Sequence, residues 1–229
     1  MHKRLATLLA RFAISNRGVI HIGAHIGQES PVYDSCGLTN QLWIEPQPQI
    51  FARLIDALPK RADVLAVNIA CGEKPGEATM YKLANNDGMS NSLLEPKDHQ
   101  RVYPDKTPDG TTIVRVARLD DILIEQRRSA AAYSLLVLDV QGFELHALRG
   151  AVGTLAHMQA IITEVSTTEM YAGGATLGEL DTFLGTHGFT RVVTRVKKHR
   201  QHGDAMYVAT ERLSGWQKFR LRFFGPSWR

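Results

Sequence analysis

The chain predicts a doubly wound α/β fold on a mostly parallel seven-stranded sheet that closes in a C-terminal antiparallel hairpin. Short runs rich in Val and Ile alternate with longer segments of helical periodicity, as expected of helices covering both faces of a parallel sheet. The first such run leads through a glycine turn into a helix. The last two, Phe189–Val196 and Ala205–Ala209, are joined by a stretch too short and polar for a crossover helix, so they pair antiparallel.

In chain order, residues 1–17 form an N-terminal helix, and Val19–Ile22 is a first strand, apolar except for His21. The turn Gly23-Ala24-His25-Ile26-Gly27 then opens a helix from about Gln28 to Cys36. Gln41–Ile44 is the second strand, followed by Glu45-Pro46 and a helix from Pro48 to Leu58 with Ile50, Leu54, Ile55 and Leu58 on one face. Val64–Ile69 is the third. Glu77–Leu83 is a further strand, after which Ala84–Gly110 is dominated by Asn, Asp, Gly, Ser and Pro, the composition of a functional or disordered loop. Thr112–Val116 is a short strand and Leu119–Gln126 a helix. Ser134–Leu138, an almost continuous apolar run ending in Asp139, is a central strand, with a helix Phe143–Leu155, a strand Ala160–Val165 and a helix Leu177–His187 beyond it.

With 229 residues and 44% hydrophobic content the chain can bury one substantial core and is short for two. We divide it into the helix at 1–17, a main domain at 18–210 and a basic aromatic tail at 211–229. No apolar run of about 18 residues is present, and Met1–Ile14 lacks a small-residue cleavage site. Cys36 and Cys71 share no zinc-type spacing, so both are expected to be reduced and the chain cytoplasmic. The formal charge of +4 is concentrated in Arg191–Arg200 and Arg212–Arg229. A basic end is either a solvated tail or a surface for an anionic partner. In the tail, Phe219, Leu221, Phe223, Phe224 and Trp228 interleave with Lys218, Arg220, Arg222 and Arg229, which suits peripheral contact with an anionic membrane or docking on a partner chain. The alternation of Phe219, Leu221 and Phe223 is closer to a strand than to an amphipathic helix. No nucleic-acid module precedes the motifs below, and nucleic acid is not expected as a partner.

Glycines between a strand and a helix let backbone approach a ligand, and amides at the helix start favour polar or anionic groups. Gly23 and Gly27 fit that need, although a tight turn with no ligand carries the same spacing. Glu45, about twenty residues beyond the turn at the end of the second strand, is placed to accept hydrogen bonds from the hydroxyls of an adenosine ribose. It could equally be a carboxylate favoured by a helix N-terminus. Asp139 ends the central strand at the carboxyl edge of the sheet, where ligands collect, and Glu164 lies beside it on the next strand. Asp139 could serve as general base, cofactor partner, cation ligand or helix cap, and the two carboxylates could share a proton or a metal. His21 in a buried strand reads as a core histidine.

The segments VIHIGAHIGQES, LWIEPQPQIFARL, NIACGE, NNDGMSNSLL, LLVLDVQGFELHALRGA and ITEVSTTEMY, in this order from Val19 onward, together resemble the FkbM-type methyltransferase family. The resemblance implies a Rossmann-like class I methyltransferase, S-adenosylmethionine as cofactor, and O-methylation of a hydroxyl, often of a sugar or polyketide. It also implies that Gly23, Ala24, His25 and Gly27 wrap the methionine moiety, that Glu45 holds the ribose, and that Asp139 with Gln141 lines the active-site mouth. Gln28 and Ala70 fall in the same matched segments and join the cofactor set. Asn91 and Ser92, with the segment around Asn86, are expected to contact cofactor or substrate, as is Glu144. The chain departs from the family's usual pattern at His21, normally acidic, and at Gln141, normally Glu. The second departure removes a possible base or ligand, so no metal site is assigned, and a divalent cation has no support beyond the neighbouring carboxylates.

Methyl transfer from a sulfonium is an in-line displacement that needs alignment and dryness more than a covalent nucleophile. A sugar hydroxyl is a weak acid, so a base helps. Asp139 and Glu164 are the candidates, with His25 third. Two rival readings remain at this stage. One is a nicotinamide oxidoreductase, whose fingerprint asks for a third glycine and a second parallel half. The other is a non-catalytic protein that retains a nucleoside-cofactor pocket.

Overall fold

The computed structural model describes residues 4–85, 87–196 and 201–226. Its main sheet uses β1 (Gly18–Ile22), β2 (Asn40–Ile44), β3 (Val64–Val67), β7 (Leu135–Leu138), β8 (Ala160–Ser166), β9 (Phe189–Val196) and β10 (His202–Ala209). They lie in the order β3-β2-β1-β7-β8-β10-β9. Neighbours are parallel through β8, and β10 runs antiparallel to both β8 and β9. The chain therefore reverses direction across the sheet between β1 and β7, which opens a crevice at the carboxyl ends of those two strands. This is the sheet the sequence predicts, closing hairpin included. It leaves no second parallel half for a dinucleotide oxidoreductase.

Alternate residues of the strands feed two cores. Ile20, Ile22, Leu42, Ile44, Leu136 and Leu138 face helices α5 (Leu119–Glu125), α6 (Glu144–Arg149), α7 (Val152–Leu155) and α8 (Leu177–Thr186). Val19, Trp43, Leu135 and Val137 face α1 (Leu5–Arg11), α2 (Ser30–Ser35) and α3 (Pro48–Ala57). Each fully buried Leu or Ile contributes roughly 1.5–3 kcal/mol of transfer free energy, and both layers depend on the central strands being apolar on both faces. His21 is among these buried residues: its Nδ1 bonds the Tyr33 hydroxyl at 3.0 Å and its ring stacks on Trp43. It behaves as the satisfied core histidine the sequence suggests.

A separate three-stranded sheet, β4 (Ala70–Cys71), β5 (Gly76–Leu83) and β6 (Pro108–Ala117) in the order β4-β6-β5, stands beside the crevice. It ends the expected third strand at Val67, because Ala70 and Cys71 pair with β6 instead. It also shortens the expected loop, since β6 begins at Pro108 and α4 (Asp98–Val102) interrupts the remainder. The helix expected over Phe143–Leu155 breaks in two. Gly150 passes so close to Gly72 that a Cβ would lie 2.0 Å from its carbonyl oxygen, and the Asp120 carboxylate caps the start of α7 by accepting from Gly153 and Thr154 amides at 3.0 and 2.8 Å.

The tail corrects another expectation. Residues Gly215–Phe224 form helix α9, not a strand, with Ser214 and Gln217 making a reciprocal capping box at its start. Leu221 packs on the core beneath, and Gln217 Nε2 donates to the Arg11 carbonyl. Trp228, Arg229 and the stretch 197–200 of the basic run lie outside the described residues. Cys36 and Cys71 are free thiols, and among the described residues no helix is long and apolar enough to cross a membrane.

Candidate active site

The register of the sheet builds the site. Ile44, Ile22, Leu138 and Thr163 are mutual partners across β2, β1, β7 and β8. The next residue on each strand is Glu45, Gly23, Asp139 and Glu164, and Asp204 on β10 pairs with Glu164. One line across the carboxyl edge thus carries an acid, a glycine turn and three more acids, spanning on the order of 19 Å at the usual strand spacing.

At one end of the line is the turn. Gly23 must be glycine twice over: its φ is +79°, and a Cβ would fall 1.9 Å from the Asp139 carbonyl oxygen. His25 is also left-handed, at φ 48°, and its amide donates to Glu45 Oε2 at 2.9 Å, while Gln47 N donates to Oε1 at 2.9 Å. The Glu45 carboxylate is therefore buried against the turn it was expected to meet, with a lone pair of each oxygen left for a ligand. Burial pushes its acid up, and the two amide bonds partly offset that. The His25 ring accepts from Gln28 Nε2 at Nδ1 and donates from Nε2 to the Asp87 carbonyl, both at 2.8 Å. Asp87 is in turn held by a bidentate ion pair with Arg53, so the loop after β5 is tied down over the turn.

At the other end, Gln141 joins the carboxylates. Its Nε2 donates to Asp139 Oδ1 at 2.6 Å and to Glu164 Oε2 at 2.9 Å, and its Oε1 accepts from the Tyr171 hydroxyl at 3.1 Å. Gln141 has φ 54°, a conformation costly for a non-glycine residue, and Ser92 Oγ pins its carbonyl at 2.7 Å. Glu164 Oε1 meets His202 Nδ1 at 2.8 Å, and His202 Nε2 meets the Tyr103 hydroxyl at 2.5 Å. Burial, with the charges of Asp139 and Asp204, pushes the Glu164 acid well up. Asp139 is open to cleft water but deep among protein atoms, and that partial desolvation raises it too. Glu144 is buried, accepts from the Val140 and Gly142 amides at 3.2 Å, and is pushed up to about 8 by burial and then Glu164.

Two clefts open along this edge. The first, of ≈ 1120 Å³ with its open mouth included, is lined by the turn, Gln28, Glu45, Ala70, Asn91, Asp139, Gln141 and Glu164 over an apolar floor that includes Ile69, Met80 and Leu93. The second, of ≈ 960 Å³ measured the same way, shares Asp139, Gln141 and Glu164 and adds Tyr103, Lys106, Glu144, Tyr171 and His202. The described residues expected at the site line one cleft or the other except Gly27 and Ser92. Gly27 packs on α3, where an added Cβ would lie 2.9 Å from Leu54. Ser92 is fully buried and acts through the Gln141 backbone instead of reaching a ligand. Asn91 lines the first cleft, but its own amide is engaged with Gln47 Oε1 and the Leu83 N–H. Asn86 lies outside the described residues. Sequence reading missed Tyr103, Tyr171 and His202. The only signal for His202 was its place two residues before Asp204 on a strand antiparallel to β8, and the strand was expected to begin three residues later. Among the described residues no three His, Cys, Asp or Glu side chains are arranged to hold a metal ion.

A family model for the methyltransferase FkbM domain matches residues 21–191, which include the whole of this edge but its β10 part. The chain belongs to the FkbM methyltransferase family. This FkbM protein is 27% identical over 180 residues to the 2-O-methyltransferase NoeI of Sinorhizobium fredii, covering 76% of this chain and 72% of that one. Among solved structures it is similar to a magnesium protoporphyrin IX methyltransferase of Synechocystis with bound S-adenosylmethionine (10% identity, 90% and 78% of the two chains, TM-score 0.48). It is also similar to the N-methyltransferase NodS of Bradyrhizobium japonicum (11% identity, 90% and 95%, TM-score 0.46). S-adenosylmethionine is the cofactor of this methyltransferase, and the first cleft fits it. Glu45, held by two amides beside a left-handed turn, is a buried carboxylate able to accept from a ligand's hydroxyls, and the acids farther along the edge are of the sign that complements a sulfonium cation.

Proposed function

We propose that this FkbM methyltransferase O-methylates a hydroxyl of a sugar or glycan-type acceptor. The carrying observation is the Asp139–Gln141–Glu164 bridge, which is wall to both clefts at once. A methyl donor on one side and a hydroxyl on the other then meet over the same three side chains. The second cleft is lined by Tyr, His, Lys, Ser and carboxylate groups, the donors and acceptors that grip polyols. The 2-O-methyltransferase relative supports oxygen as the methylated atom.

Bound S-adenosylmethionine supplies an electrophilic methyl group on a sulfonium. In this reading Gly23, Ala24, His25 and Gln28 surround its methionine end, Gly27 closes the turn behind them by donating to the Ala24 carbonyl, Glu45 holds the ribose, and Ala70 with Asn91 lines the wall. Gln141 orients the carboxylates of Asp139 and Glu164 by donating to both, and its bond to Asp139 offsets part of the burial that raises that acid. Those carboxylates favour the cation, and the acidic end of the edge takes up the acceptor proton. Glu144 braces the turn that carries Gln141 and lies at the acceptor end.

The test is incubation with S-adenosylmethionine and a panel of mono- and oligosaccharides, following S-adenosylhomocysteine release and product mass, with calorimetric titration of S-adenosylhomocysteine and NAD alongside. A methyl ether is the expected product. Tight binding of S-adenosylhomocysteine with no turnover on any hydroxyl compound selects the non-catalytic reading. Single-turnover methylation by Asp139→Asn at wild-type rate removes Asp139 from proton transfer.

A further inference from the structure

We propose that His202 is the general base that receives the acceptor's proton, with Glu164 holding its ring. This rests on the O-methylation reading and adds a residue that the family match does not reach. Glu164 lines both clefts, but both its oxygens are engaged, one by Gln141 and the other by His202, whose ring stands in the second cleft. An ionised Glu164 accepts from Nδ1–H, which leaves the Nε2 lone pair pointing away from it. A carboxylate fixes the tautomer and orientation of a catalytic imidazole in the same way in hydrolytic triads. The Tyr103 hydroxyl, 2.5 Å from Nε2, already makes the bond that an acceptor hydroxyl needs. Tyr103 comes from the segment between α4 and β6, so an acceptor entering the second cleft replaces it without disturbing the sheet. His202 lines only this second cleft, the side opposite the ribose acid.

In the step, the acceptor oxygen forms the C–O bond as the methyl–sulfur bond breaks and its electron pair stays on sulfur. The hydroxyl proton passes to Nε2, Glu164 stabilises the imidazolium, and the proton leaves to solvent. The charged and titratable groups facing this imidazole are Glu164 on β8, Asp139 at the end of β7, Asp204 on its own strand and Tyr103, with Lys106 and Glu144 around the same cleft.

His202→Ala should lower kcat by roughly 10²–10³-fold, leave S-adenosylhomocysteine affinity unchanged, abolish the acidic limb of the pH–rate profile and respond to added imidazole. A His202→Ala enzyme with wild-type kcat, or one that loses rate with its acidic limb intact and no imidazole rescue, overturns the assignment. If the wild type itself yields no methyl ether, the O-methylation reading fails and takes this one with it. A methyl ether made equally well by both proteins counts against His202 alone.

A second inference stands on different residues. We infer that the outer face of α9 docks on an anionic lipid bilayer. Trp216, Phe219 and Phe223, at i, i+3 and i+7, form a ridge of rings with centroids 5.7 and 4.5 Å apart, and they are 70%, 48% and 62% exposed. Leu221, on the opposite side, holds the helix to the core. The helix carries Lys218, Arg220 and Arg222 and no acid. A ridge of rings on a helix that carries three cations and no acid matches the headgroup boundary of an anionic membrane in both polarity and charge. Arg212 bonds the Ala13 carbonyl and Gln217 that of Arg11, both shortly before β1 begins. The ridge therefore sits near the amino ends of the parallel strands, and docking leaves the catalytic edge open.

The full-length protein should co-sediment with phosphatidylcholine vesicles containing phosphatidylglycerol and not with phosphatidylcholine alone, and salt should weaken the binding. The triple variant Trp216→Ala, Phe219→Ala, Phe223→Ala should lose it while keeping S-adenosylhomocysteine affinity. Equal binding to both vesicles, no binding, or a dimer in light scattering that the triple variant dissolves would each overturn the lipid assignment.

Discussion

The two ends of the catalytic edge are built from different materials. The Glu45 end is made by backbone: amides of His25 and Gln47 clamp one carboxylate, and the glycine turn is fixed by its contact with the Asp139 carbonyl. The Glu164 end is made by side chains from β7, β8, β10 and the loop before β6, linked Asp139–Gln141–Glu164–His202–Tyr103. A backbone clamp suits a cofactor that never changes. A side-chain relay suits chemistry, because its members can change protonation state and be exchanged among relatives without altering the fold.

The sharpest way to break this contrast is Glu45→Ala. It strands two buried N–H groups at about 1–3 kcal/mol each and removes the ribose acceptor, so S-adenosylhomocysteine affinity should fall by at least about 100-fold, with a lower Tm. If calorimetry finds affinity unchanged, the clamp does not hold the cofactor. Gln141→Leu probes the relay end. It keeps the bulk and removes the donor shared by Asp139 and Glu164, so turnover should fall by about 10–100-fold while S-adenosylhomocysteine binding changes far less. Equal losses in affinity and turnover would erase the distinction between the two ends.

The same distinction explains what was legible in the sequence. The strand–turn–helix unit and Glu45 lie within about twenty residues of one another, and the apolar runs reveal the strands that carry them. Asp139 and Glu164 could be placed because parallel strands deliver their ends to one edge. His202 and Tyr103 could not, since their meeting depends on where β10 begins and how the loop before β6 returns, and neither leaves a periodic trace. Ser92 was recognised as part of a matched segment, but only packing shows that it is buried and supports Gln141. The tail misled because a period-two pattern was visible in Phe219, Leu221 and Phe223, while the capping box that decides for helix lies in Ser214 and Gln217.

A smaller effect follows from the acids at the relay end. Asp139, Glu144 and Glu164 are all raised by burial and by other acids nearby. A sulfonium cation favours their ionised forms, whereas the neutral sulfide of the product does not. The preference for S-adenosylmethionine over S-adenosylhomocysteine should therefore grow with pH, by roughly tenfold between pH 6 and pH 8.5 for one unit of coupling. Calorimetry with both ligands at the two pH values measures it, and a flat ratio would separate the acids from the sulfonium. Product release would gain from the same coupling, since a proton returns to the cluster once the cation is gone.

The mildest change isolates one acid. Glu144 has a folded-state acid raised to about 8 from 4.5, so the native state binds a proton more tightly than the unfolded chain does. Its contribution to stability is complete below about pH 4.5 and is lost as pH rises through about 8. Glu144→Gln keeps an oxygen for the Val140 and Gly142 amides and removes the buried charge. At pH 8.5 it should raise Tm by about 2–4 °C, equivalent to roughly 1 kcal/mol, and at pH 5 it should do nothing measurable. A variant less stable at both pH values would mean that Glu144 is held ionised by a partner at the acceptor end. The relay would then carry one more charge than its hydrogen bonds account for.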